Sequence, residues 1–219
     1  MGLMHKDFHS GNIVNPTLTL CQITDFGLCK PVTENDPEII YGVIPYVAPE
    51  TLSRGEYTQA SDIYSFGMVM LEVLTSYPPY YNIPHDANLV MDICKGLKPE
   101  IKCEIPQLLK ELMEKCWNFD PLNRPTAYEL TYQLSETAKQ VKIENKSNKN
   151  FIQFDPNEMH PEAIYTSRPI TMTGLIPMPE CNTFNSRQQF FSIPDNIIVD
   201  DEENETQGME FEFNSLGIN

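Results

Sequence analysis

One stretch of this 219-residue chain limits its possible folds more than any other, the run from Ile63 to Leu74. Apart from Ser65, Gly67 and Glu72, every residue in it is apolar. A helix with no polar stripe has no face to give to water, so it must run through the middle of a domain. The run is also too short, and too interrupted by Glu72, to cross a bilayer. Ser61 reads as the N-cap of a helix over 62–75, and Pro78-Pro79 lies beyond its end. Further helices are expected over 86–95, stopped by Gly96, over 106–116, and over about 127–142 behind a Thr126 cap. Before them, Asn12–Val14 and Leu18–Ile23 flank Asn15-Pro16-Thr17 as a short hairpin, which needs the helices to lie on. The expected class is mainly α.

Composition changes near residue 143. The first part, 1–143, alternates apolar runs with turns at a density that builds a core. The second, 144–219, is rich in proline and acid and carries the run Asp200-Asp201-Glu202-Glu203-Asn204-Glu205. It buries too little to offset its ordering entropy, so a disordered acidic tail is expected there. Short apolar islands at Phe151–Phe154, Phe190–Ile193 and Met209–Phe213 read as sticky spots in that tail. The chain has 15 basic and 31 acidic residues, net −16. That balance disfavours nucleic acid and anionic membranes as partners. No secretory signal is present, and the six cysteines form no C-x-x-C pair. Reduced thiols in a cytoplasmic protein are the expectation.

The polar cluster at the start carries the chemistry. In His5-Lys6-Asp7-Phe8-His9-Ser10-Gly11-Asn12 an aspartate and an asparagine share a glycine-containing loop, and Asp25-Phe26-Gly27 follows the second hairpin strand. The hairpin brings Asp25 back towards Asn12 and Asp7. Two carboxylates and an amide oxygen make a hard-oxygen set suited to Mg²⁺, with one carboxylate left to take a proton. Each residue alone would read as a turn or cap residue. Zinc at His5 and His9 is disfavoured, because Gly11 and Asn12 oppose a helix and Lys6 replaces the glutamate such a site needs.

With Ala48-Pro49-Glu50, Asp62-Ile63-Tyr64-Ser65-Phe66-Gly67 and Cys116-Trp117 through Arg124-Pro125 added, the ordered set resembles the C-terminal lobe of a eukaryotic protein kinase, over roughly residues 2–143. The tyrosine kinase and tyrosine-kinase-like branches are the most similar. The resemblance implies ATP and Mg²⁺ as cofactors and a protein as substrate. It implies that Asp7 accepts the proton of the substrate hydroxyl, with Lys6 beside it where arginine is more usual, and that Asn12 and Asp25 hold Mg²⁺. It gives His5, Phe26 and Gly27 packing roles, Asp62 a role in holding the catalytic loop, and Glu50 and Arg124 a buried ion pair. Thr33 and Tyr41 are candidate phosphorylation sites in the activation segment.

His9 stands where Ser/Thr kinases usually carry lysine, Tyr46 where tyrosine kinases carry tryptophan, and Val43 where the Ser/Thr class often has threonine. A Ser/Thr acceptor in signal transduction is expected over a Tyr acceptor. The family's small lobe, with its glycine-rich loop and strand lysine, has no counterpart in this sequence. ATP binding is therefore expected to need a lobe supplied from elsewhere. The competing reading is a non-catalytic, pseudokinase-like scaffold.

Overall fold

The computed structural model describes residues 2–17, 20–31, 40–144 and 155–170, with the backbone of 210–212. Strands β1 (Leu3–Met4), β2 (Ile13–Thr17), β3 (Leu20–Ile23), β4 (Lys30–Pro31) and β5 (Ile40–Gly42) come first. Helices α1 (Pro49–Arg54), α2 (Gln59–Thr75), α3 (Ala87–Cys94), α4 (Gln107–Cys116) and α5 (Ala127–Glu144) follow. Strands β6 (Arg168–Ile170) and β7 (Glu210–Glu212) come last. Among the described residues the pairings are all antiparallel: β1 with β4, β5 with β6, and β3 between β2 and β7. The body is helical and the sheets are small.

Helix α2 is the centre, as its apolar run requires. Tyr64, Met68 and Leu71 are buried on it, within one cluster that also takes Leu112 and Met113 of α4 and Leu130 of α5. A Cβ on Gly67 would fall 2.8 Å from Cys116 Cβ, so the absence of a side chain lets α2 and α4 touch. The helix starts a turn earlier than Ser61. Thr58 is the N-cap, its Oγ1 accepts from the Ser61 N–H at 3.3 Å, and the Ser61 hydroxyl accepts from the Thr58 N–H at 3.1 Å. Ser61 is thus the inner half of a capping box, and the threonine that fits the cap equally well stands before it. Asp86 caps α3, and Thr126 exchanges bonds with Glu129 at the start of α5. No described helix is long and apolar enough to cross a membrane. The described cysteines Cys21, Cys29, Cys94, Cys103 and Cys116 are free thiols, and burial pushes Cys94 up to about 11.

Residues 155–170 depart from the expectation of a disordered tail. They pack on the helical body, with His160 N–H donating to Tyr81 O at 2.8 Å and His85 N–H to Glu162 O at 3.1 Å. Ile170 is buried in a second cluster with Ile40, Leu89 and Val90. Composition misses this because the ordering comes from backbone bonds and two or three side chains rather than from a periodic apolar face. The remainder of that stretch lies outside the described residues, except that Glu210–Glu212 pairs with β3, Phe211 standing opposite Cys21.

Candidate active site

The loop that carries Asp7 hangs from helix α2. Asp62 Oδ2 accepts from the His5 N–H at 2.7 Å and Oδ1 from the Lys6 N–H at 3.1 Å. Burial raises the Asp62 pKa, and the two N–H bonds pull it back. Lys6 has φ +70°, a left-handed backbone that costs a non-glycine residue about 1–3 kcal/mol. The Asp62 carboxylate holds that turn, and Lys6 Nζ lies 4.9 Å from the centre of the Tyr57 ring. The strained residue immediately precedes Asp7.

Asp7 is 6% exposed. Asn12 Nδ2 donates to its backbone oxygen at 2.9 Å and reaches its Oδ2 at 3.5 Å. His9 Nε2 lies 3.6 Å from Oδ1, too far for a good hydrogen bond, and both atoms are buried without a partner. His9 Nδ1 accepts from the Gly11 N–H at 3.1 Å, which places the proton of a neutral ring on Nε2, facing the carboxylate. Burial alone would raise the Asp7 pKa; His9 and the Ser167 hydroxyl more than offset it and hold the group below its ordinary range. The carboxylate is therefore ionised, with one oxygen open. Sequence reasoning weighed His9 only as a zinc ligand or a substituted lysine. Its approach to Asp7 depends on the 3-10 turn Ser10–Asn12, for which His9 is the N-cap.

Thr24 ties the hairpin end to this cluster. Its N–H and hydroxyl both donate to Asn12 O, at 2.8 and 3.1 Å, and its carbonyl accepts from His5 Nε2 at 2.9 Å. Asp25 follows it, exposed, in a left-handed conformation (φ +59°). A Cβ on Gly27 would stand 3.4 Å from Asp25 Oδ1. The His5 ring lies 5.3 Å from Phe26 and 5.8 Å from Phe8, which lies 6.1 Å from Phe66 of α2. This aromatic row runs from the core to Phe26, which is 51% exposed. As donors, Asn12 and Asp25 supply an amide and a carboxylate, a hard-oxygen pair that fits Mg²⁺. Because Asn12 Nδ2 is committed to Asp7, its amide oxygen is the atom left for a cation. No cluster of three or more His, Cys, Asp or Glu suited to a metal occurs among the described residues.

Glu50 and Arg124 lie apart from this cluster. Arg124 Nη1 and Nη2 bond Glu50 Oε1 and Oε2 at 2.7 and 2.8 Å, in a buried two-pronged pair. Ser61 Oγ donates to Glu50 Oε1 at 3.1 Å, and Arg124 also donates to Asn118 O and Ala60 O. Tyr41, on β5, is at the edge of exposure, with its backbone N–H and C=O bonded to the Tyr57 hydroxyl. Thr33 lies outside the described residues. Tyr46, behind β5, donates to Glu72 Oε2 at 2.5 Å.

A family model described as protein tyrosine and serine/threonine kinase matches residues 1–134. Dual specificity protein kinase shkE of Dictyostelium discoideum is 32% identical over 151 residues, 64% of this chain and 21% of that protein. Serine/threonine-protein kinase STY17 of Arabidopsis thaliana is 30% identical over 140 residues, 64% of this chain and 25% of its own length. Ephrin type-A receptor 5 of Gallus gallus is 33% identical over 143 residues, 62% of this chain and 14% of the receptor. The chain spans a quarter or less of the length of these relatives. It belongs to the protein kinase family, and its helical body with small sheets is that of a kinase C-terminal lobe.

Proposed function

We propose that this chain is the larger lobe of a tyrosine-kinase-like enzyme that transfers a phosphoryl group from Mg-ATP to a Ser or Thr hydroxyl of a protein. The observation that carries the reading is the buried, ionised Asp7 carboxylate with Oδ1 unpartnered. An acceptor hydroxyl would donate to that oxygen and give up its proton there as its own oxygen bonds to phosphorus. Asn12 fixes the backbone of Asp7, and Asp62 fixes the turn before it. Mg²⁺, bound by Asn12 and Asp25, would neutralise charge on the nucleotide phosphates. Glu50 and Arg124 anchor the activation segment, and His5 and Phe26 pack the floor of the nucleotide side. The exposed Phe26 and the lack of a glycine-rich loop and strand lysine support a second part of the reading: a small lobe must be supplied for tight nucleotide binding.

Transfer of labelled phosphate from Mg-ATP tests it, in a polypeptide that carries a kinase small lobe ahead of residue 2. Asp7→Asn is expected to lower the rate by at least about 100-fold, the scale of a lost general base, with an unchanged melting curve. An unchanged rate would overturn the assigned role, and no transfer by either protein would favour the scaffold reading. Calorimetry on the 219-residue chain is expected to give a Kd for Mg-ATP no tighter than about 1 mM.

A further inference from the structure

Residues 155–170 reach the site. Strand β6 runs antiparallel to β5, with Ile170 opposite Ile40, Pro169 opposite Tyr41 and Arg168 opposite Gly42. Gly42 abuts the catalytic aspartate: a Cβ built on it would stand 3.5 Å from Asp7 Oδ1 and 3.0 Å from Val47, and its φ of +142° disfavours any side chain. The residue before Arg168 is the exposed Ser167, so it directly adjoins the pairing with Gly42 that lies against Asp7. Its hydroxyl is one of the groups that favour the ionised form of Asp7.

The residues before Ser167 are held as firmly as those after it. The Tyr165 hydroxyl donates to Pro79 O at 2.9 Å, and its ring meets His85 edge-on at 4.8 Å and Tyr46 at 6.5 Å. Ile164 N–H donates to His85 Nδ1 at 3.0 Å, while Nε2 faces Tyr80 O at 3.2 Å. Arg168 Nη2 donates to His85 O at 2.8 Å. His85 is 4% exposed and bonded on both ring nitrogens, so it acts as a fixed post for the segment. An aromatic side chain, a hydroxyl and an arginine thus follow in order along one segment, which bends at Thr166 and joins β5 as strand from Arg168. Extended segments that add to a free strand edge gain affinity from backbone bonds and selectivity from alternate side chains.

We infer that the surface formed by β5, Tyr46, His85 and Asp7 is the protein-acceptor groove, and that residues 163–170 occupy it in substrate fashion with Ser167 next to the acceptor position, short of a bond to Asp7 Oδ1. The acceptor class follows: a segment with an aromatic residue two places before a serine and Arg-Pro directly after it, pairing with the edge strand from the arginine on. The inference rests on the phosphoryl-transfer reading for the word acceptor. Groove and occupant stand on the β5–β6 register and the contacts of Tyr165 and Arg168.

Binding without nucleotide tests it on the full chain. A fluorescent peptide of residues 162–170 is titrated into the natural sequence and into a Tyr165→Ala, Arg168→Ala double variant, in which both altered side chains are only partly buried and Tyr165 packs on the edge of the helical core. The variant, with its own segment released, is expected to bind the peptide at least ten-fold more tightly, and hydrogen exchange at 40–42 should quicken. Phosphate on the serine of the peptide should weaken binding to the variant at least ten-fold by repulsion from Asp7, and Asp7→Asn should restore it. Phosphate on the neighbouring threonine should change it less than three-fold. Equal affinity of the two proteins, or equal effects of the two phosphates, would overturn the inference. Because no nucleotide is present, an absence of phosphoryl transfer would sink the enzymatic reading and leave these results standing.

Discussion

The Glu50–Arg124 pair and the Asp7–His9 pair are both buried acid–base pairs within the same helical body, and they are built in opposite ways. Arg124 meets Glu50 with two short, parallel bonds and spends its other donors on backbone oxygens. His9 and Asp7 approach to 3.6 Å and leave an atom of each unpartnered. The first arrangement closes every valence and can only hold. The second leaves a charge with spare capacity, which costs stability and is useful only if another group arrives to fill it.

The contrast is broken most strongly by Arg124→Ala. It leaves a buried carboxylate alone and is expected to cost about 3–5 kcal/mol, visible as a fall of roughly 10 °C in melting temperature. Asp62→Ala orphans the His5 and Lys6 N–H groups beneath a left-handed residue. A loss of about 2–3 kcal/mol in urea unfolding is expected, with transfer impaired because Asp7 shifts. A smaller effect comes from pH at the tail. Burial holds the pKa of His85 below its ordinary 6.5, helped by the neighbouring charges of Arg168 and His160, while the Ile164 and Tyr80 carbonyls, 2.9 and 3.2 Å from its ring nitrogens, work the other way. Release of the segment therefore takes up a proton. Its docking is complete above pH 6.5 and weakens as pH falls through the lower folded value, which proteolysis within 155–170 at stepped pH would show. Asp7→Asn should change stability least, by about 1 kcal/mol or less, because the group it replaces was already short of partners. A large loss there would erase the distinction between the two pairs.

Much of the lobe was legible because its cause is local. The all-round apolar run placed α2 at the centre, and the Thr126 cap marked the last helix. The start of α2 was misjudged by one turn because Thr58 and Ser61 are both good caps and only geometry shows which is outer. In the site, Asp7, Asn12 and Asp25 stood out by chemistry and order. His9, His85 and Ser167 did not, since their meaning comes from contacts across the chain. His85 and Ile164 are separated by 79 residues. A tyrosine, a serine and an arginine in a proline-rich stretch carry no periodic signal, and the strand that begins at Arg168 exists only against β5.

That strand has a consequence for how partners are chosen. A sheet edge accepts one neighbour at a time, and a tethered occupant faces it at an effective concentration on the order of millimolar. Any outside segment must therefore outbid the chain's own. Selectivity would then be set by a threshold: weak acceptors never displace the resident strand, and strong ones, or a modification that repels the resident, open the edge to everything that fits it.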